Sequence, residues 1–361
     1  MISRRTILKG MAVSGLAGLP LNGLRFSSFQ QKPMDAKETK IFDPADGFGS
    51  LTDVYILTDS TLAKRDNRWW MYLAGRAQNR ESIELFSASL PAGAPLTATG
   101  WTLTAAANDK SKIADLAGHD AGKGWDLKGG RHCPAYVKGW DPVRRTNVER
   151  IYYAGSATSP WGPYTIGFVE WDGTKWVDQA EPVFTANEDW EHGSVYEPNL
   201  IYHEGKWKMW YVAGSNQEDY IVQGYAESND GRTNWTKHQI VFPPEDKVFD
   251  FCVRQTRHGF EAVFSRVWLG KSGAPPVTTG LWWCQARTPS SRIADWSKPI
   301  QIMPMSNSPW HLGGAWKPSF QYSESDPNRM LVFFDGLYQR KDPSPFPFVF
   351  TLGCLELARP A

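Results

Sequence analysis

The feature that most constrains this chain is internal repetition: one grammar of strand, turn, strand, loop, strand, turn and Trp recurs roughly every 50 to 70 residues. Its clearest copy runs Tyr196-Glu197-Pro198-Asn199-Leu200-Ile201-Tyr202, turns at His203-Glu204-Gly205-Lys206, and returns through Trp207-Lys208-Met209-Trp210-Tyr211-Val212-Ala213-Gly214. Ile221 to Ala226, the turn Ser228-Asn229-Asp230-Gly231 and Trp235 complete it. Apolar and polar residues alternate along each arm with turn formers between them, which specifies an antiparallel meander. Four further copies begin at Asp59-Ser60-Thr61-Leu62, Cys133-Pro134-Ala135-Tyr136, Asp250-Phe251-Cys252-Val253 and Lys317-Pro318-Ser319-Phe320.

One such sheet cannot bury both of its faces, so five of them must stack face to face around an axis. The expected fold class is therefore all-β: a five-bladed β-propeller of four-stranded antiparallel blades around a central channel. No segment has the length and period of a substantial helix. A length of 361 residues suits a single domain of this kind, and 32 Gly with 25 Pro suit many short strands joined by tight turns. The 18 Trp are read mainly as packing between blades.

A formal net charge of +1 argues against a broad phosphate-binding surface, so nucleic acid is not an expected partner. Cys133, Cys252, Cys284 and Cys354 lack the paired spacing of a zinc or redox site; isolated core thiols are expected, with one disulfide as the alternative. Ser3-Arg4-Arg5-Thr6-Ile7-Leu8-Lys9 precedes a mildly apolar, Gly-rich stretch from Gly10 to Leu24, which matches a twin-arginine export signal too short to span a bilayer stably. Residues 1–24 are thus read as the signal, 25–40 as a polar linker, and 41–361 as the propeller, a periplasmic or exported monomer with no stable membrane span in the mature chain.

In a propeller the first strand of each blade lines the channel. Aligning the five copies brings Asp59, Cys133, Glu197, Asp250 and Lys317 to one shared position, so three carboxylates and a lysine should surround one pocket. Crowded carboxylates that lose hydration separate in pKa, which supplies an acid and a base. Cleavage of a glycosidic bond needs such a pair. Glu197 is expected as general acid, Asp59 as general base or nucleophile, and Asp250 as a group that orients the sugar or exchanges roles with Asp59. Arg131, His132, Trp316 and Lys317 stand at the channel mouth as candidate substrate-binding residues, and the loops at 106–130, 187–195 and 305–315 should rim one end. No metal ligands and no cofactor are assigned, although the channel could hold a structural calcium ion.

The segments Glu197 to Tyr202, Gly205-Lys206-Trp207, Met209-Trp210-Tyr211 and Ser228 to Gly231 before Trp235 resemble the five-bladed glycoside hydrolases of families 43, 32, 68, 117 and 130. That resemblance implies hydrolysis of a furanoside or other short glycoside by an acidic triad from the first three blades, with Asp59 as the first-blade carboxylate. The chain departs from the pattern at Cys133-Pro134-Ala135, where family 43 usually presents Ala-Pro-Asp, and at Glu197, which lies one residue before Pro rather than two. A non-hydrolytic carbohydrate-binding propeller, and a metal-assisted lyase using Lys317 and His132, are the alternatives that these departures leave open.

Overall fold

Apolar alternation along each repeat folds into strands because only a paired strand satisfies its backbone polar groups while presenting one face to a neighbour. The computed structural model describes residues 35–360 except 79, 81, 98, 118–123, 128–129, 159–161, 216–219, 269–276, 305–307 and 340–347. The twin-arginine segment therefore lies outside the described residues. After β1 (Lys37–Phe42), the first blade is β2 (Val54–Arg65), β3 (Arg68–Ala77), β4 (Glu84–Ser89) and β5 (Thr102–Leu103). The second is β6 (Gly130–Asp141), β7 (Thr146–Ser156), β8 (Thr165–Trp171) and β9 (Trp176–Asp178), and the third is β10 (Val195–His203), β11 (Lys206–Ser215), β12 (Tyr220–Ser228) and β13 (Thr236–Phe242). The fourth comprises β14 (Val248–Thr256), β15 (Gly259–Trp268), β16 (Val277–Ala286) and β17 (Ile300–Met303). The fifth comprises β18 (Gly314–Tyr322), β19 (Arg329–Gln339) and β20 (Phe348–Ala358).

Each blade is a four-stranded antiparallel sheet, and the fifth obtains its outer strand from the other end of the chain, where β1 pairs with β20 from Lys37↔Glu356 to Phe42↔Leu352. This corrects the expected boundaries. Lys37 to Lys40, read as linker, are already in strand, and the fold begins before Ile41. The polar sequence of β1 hides it from a pattern search, because an outer edge strand needs backbone pairing more than an apolar face.

The inner strands β2, β6, β10, β14 and β18 contact one another in succession, and β18 contacts β2, so the ring is closed. Separate apolar clusters fill the interfaces between neighbouring blades. Trp207, Trp210 and Trp283 are fully buried in them, as the packing role of repeated Trp requires. A further cluster around Tyr164, Tyr196 and Phe249 lies where the second, third and fourth blades meet the channel.

Candidate active site

At the entry end of every inner strand the ladder to the second strand skips a step, between Thr58 and Ser60, His132 and Ala135, Tyr196 and Asn199, Phe249 and Cys252, and Trp316 and Ser319. Within each break sits a non-glycine residue with positive φ: Asp59 at 54°, Cys133 at 58°, Glu197 at 52°, Asp250 at 57° and Lys317 at 52°. Such a left-handed residue costs about 1–3 kcal/mol and persists only where its surroundings over-determine it. A bulge of this kind re-aims a side chain. Here it does so once per blade, and all five residues line one solvent-open cavity together with Thr61, Asn199, Cys252 and Ser319.

The ring is stitched by the same residues. Asp59 Oδ2 accepts from the Cys133 N–H at 3.0 Å, Asp250 Oδ2 accepts from the Lys317 N–H at 3.0 Å, and the Asp59 N–H donates to Asp335 Oδ2 at 2.8 Å. The Lys317 ammonium reaches across the channel. It forms an ion pair with Glu197 Oε2, lies 3.3 Å from Asp250 Oδ1 and 3.9 Å from Asp59 Oδ1, and donates to Cys133 Sγ at 2.8 Å.

This arrangement drives the two aspartates apart. Burial alone would raise the Asp59 carboxyl, but the Lys317 ammonium, His132, the Thr58 hydroxyl and the Cys133 N–H together hold it below its ordinary value. Burial raises Asp250 well above the carboxylate range, and the Asp59 charge pushes it further. Burial likewise keeps the Cys133 thiol neutral, well above its ordinary value, despite the nearby ammonium. All four cysteines are buried free thiols, and Cys133 and Cys252 line the channel cavity, Cys133 at the shared position that the alignment gave it.

The other expected contacts divide. His132 is not among the residues that line the cavity; it lies edge-on to Tyr164 at 5.5 Å and within electrostatic reach of Asp59. Arg131 does not face the cavity: its Nε and Nη2 donate to Asp126 at 3.0 Å and Asp178 at 2.9 Å, because a buried guanidinium must be met by acids. Trp316 lies nearly parallel to Phe249 at 6.3 Å and Phe350 at 5.6 Å, so its ring surface is engaged by rings rather than open to a sugar face. Two of the loops expected to rim the mouth carry packing: Glu191 is buried against Tyr211 and Lys237, and Trp310 stacks on Phe334. Parts of the loops at 106–130 and 305–315 lie outside the described residues.

Sequence reasoning missed Asp335, fully buried on β19 beside Asp59. Its signal was present: a lone carboxylate at the end of Leu331-Val332-Phe333-Phe334 is as costly to bury as Glu197 ahead of Pro198.

Neither a protein-family model nor a curated protein matches this sequence. Solved structures do match in fold. One titled as a glycoside hydrolase shares 13% identity over 86% of this chain and 90% of its own, with a TM-score of 0.59. The catalytic domain of a family 62 α-L-arabinofuranosidase from Coprinopsis cinerea shares 11% over 84% and 91%, with a TM-score of 0.52. A family 117 glycoside hydrolase from the marine bacterium Zobellia galactanivorans shares 12% over 89% and 89%, with a TM-score of 0.53. At these identities the likeness is one of fold, and it places the chain among five-bladed propellers.

Proposed function

We propose that this chain is an exported glycoside hydrolase that acts on a furanoside or other short glycoside, reaching the periplasm through the twin-arginine pathway. The observation that carries the reading is that Asp59 and Asp250 occupy equivalent strained positions on one cavity yet favour opposite protonation states. An ionised and a neutral carboxyl facing one pocket are the acid and base that glycoside cleavage requires. In this reading neutral Asp250 protonates the leaving oxygen, and ionised Asp59 activates water or attacks the sugar. Glu197, expected from the sequence as the acid, is engaged by the Lys317 ammonium, and the pair is assigned to holding sugar hydroxyls. The solved structures with the same fold are titled as glycosidases, which supports the class of reaction.

The test is turnover of a panel of aryl furanosides and pyranosides. Asp59→Asn and Asp250→Asn should each lower kcat by roughly 10²–10⁴-fold on the substrate that the parent cleaves. The pH profile should be a bell, failing at acid pH as Asp59 takes up its proton and at higher pH as Asp250 loses the one it must donate. Full activity in either variant would remove the assignment. A second reading, a carbohydrate-binding propeller without hydrolysis, is favoured by Cys133 standing where a carboxylate could and by Lys317 neutralising Glu197. Saturable sugar binding with no turnover across the panel would establish that reading instead.

A further inference from the structure

Side chains alternate along a strand, so the residues four places beyond the shared left-handed position return to the same face, farther down the channel. On the five inner strands these are Ala63, Val137, Ile201, Arg254 and Gln321. All five line a second solvent-open cavity, which shares Thr61 and Asn199 with the first. Arg254 is the one charged member of that layer.

The buried arginines of the second blade are met by acids: Arg131 by Asp126 and Asp178, Arg150 by Asp141 and Glu170. Among the described residues no carboxylate pairs with Arg254, a half-buried residue whose guanidinium has the Cys252 thiol as a neighbour, and its Nε is shut off from solvent without a hydrogen-bond partner. The two lysines on the same cavity are already matched, Lys64 with Glu324 and Lys138 with Glu149 at 3.1 Å. Arg254 is thus a cation on the cavity that no carboxylate meets among the described residues, and burial pulls its guanidinium below its ordinary value despite the Cys252 thiol beside it. Burying an unmatched guanidinium is costly, and an anion supplied from solution removes the cost.

We propose that this second cavity is a binding site for a small oxyanion, phosphate or carboxylate, held by the Arg254 guanidinium. Arginine presents a planar fork of N–H donors that matches two oxygens of such an anion, and the neighbouring Gln255 and Gln321 side chains on the cavity supply further polar groups. The proposal does not depend on the hydrolase reading, since the layer that carries it lies apart from the Asp59 ring.

The experiment is calorimetric titration of the full chain with sodium phosphate and, separately, sodium acetate at fixed ionic strength. The parent should bind at least one of them saturably, and the anion that binds identifies the source. Arg254→Met should weaken that binding by roughly 10-fold or more, with Arg254→Lys between the two. Gln321→Glu, which sets a carboxylate in the same layer, should abolish anion binding and covers the case in which Arg254→Met fails to fold. Asp59→Asn should bind the anion as the parent does. The proposal is overturned if the parent binds neither anion, if Arg254→Met or Gln321→Glu binds as the parent does, or if Asp59→Asn is the variant that loses the anion.

Discussion

Asp335 shows how one buried side chain sets the chemistry of another. Thr58 Oγ1 lies 2.5 Å from Asp335 Oδ2 and 2.9 Å from Asp59 Oδ1, and a hydroxyl has only one proton to donate. A proton on Asp335 resolves the conflict, since its O–H can then serve the Thr58 oxygen while Thr58 donates to Asp59. Burial, with the Asp59 charge beside it, raises Asp335 well above the carboxylate range, as this requires. The consequence for stability has a definite sign. An unfolded Asp loses its proton near pH 3.9, so above that pH the unfolded state binds fewer protons than the folded one, and stability falls with slope up to about 1.4 kcal/mol per pH unit. Asp335→Asn cannot ionise, and its amide N–H can donate to the Thr58 oxygen as the protonated carboxyl does. Its Tm should match the parent near pH 4 and exceed it increasingly toward pH 8; parallel curves would mean that Asp335 is ionised in the fold. Arg131 and Trp316 teach the complementary lesson, since their partners Asp178, Phe249 and Phe350 lie on other strands and could not be foreseen from the local pattern.

At the scale of elements, the turn joining β12 to β13 acts as a clasp between blades. Ser228 Oγ accepts from the Gly231 N–H at 3.0 Å, and Asp230 Oδ1 accepts from the Arg232 and Thr233 N–H groups at 2.8 Å each. The turn then offers its own carbonyls to the second blade, with Arg150 Nη1 donating to Asp230 O at 2.6 Å and the Tyr152 hydroxyl to Gly231 O at 2.6 Å. Gly231 has φ 67°, and a Cβ there would stand 2.5 Å from the Tyr152 hydroxyl and 2.7 Å from Arg150 Nη1. Gly231→Ala should therefore destabilise by about 2–4 kcal/mol, through both backbone conformation and displacement of a buried arginine. Urea unfolding checks this, and a midpoint like the parent's would show that the clasp yields freely. The alternation and turn residues of this segment made the strands and the turn legible. Its attachment to Arg150 was not, because that contact spans 80 residues of chain.

At the scale of the molecule, the ring is closed by β1, which carries the start of the described chain to the outside of the blade that ends it. His311 and Glu38 reinforce the join, with Nε2 and Oε2 3.0 Å apart. A variant starting at residue 43 leaves β20 as a bare edge, and should unfold at lower temperature and associate through that edge. Differential scanning calorimetry and light scattering check this, and an unchanged Tm with no association would show that the ring closes without β1.

The sequence by itself determined the number of blades, their antiparallel strands and the shared position of Asp59, Cys133, Glu197, Asp250 and Lys317, because periodicity and turn chemistry are local properties that repeat in register. Only the tertiary structure decided which of those groups carries a proton, which arginine is matched by acids and which is not, and where the fifth blade finds its last strand. Those outcomes depend on desolvation and on charges brought together from different blades, and neither exists until the ring has closed.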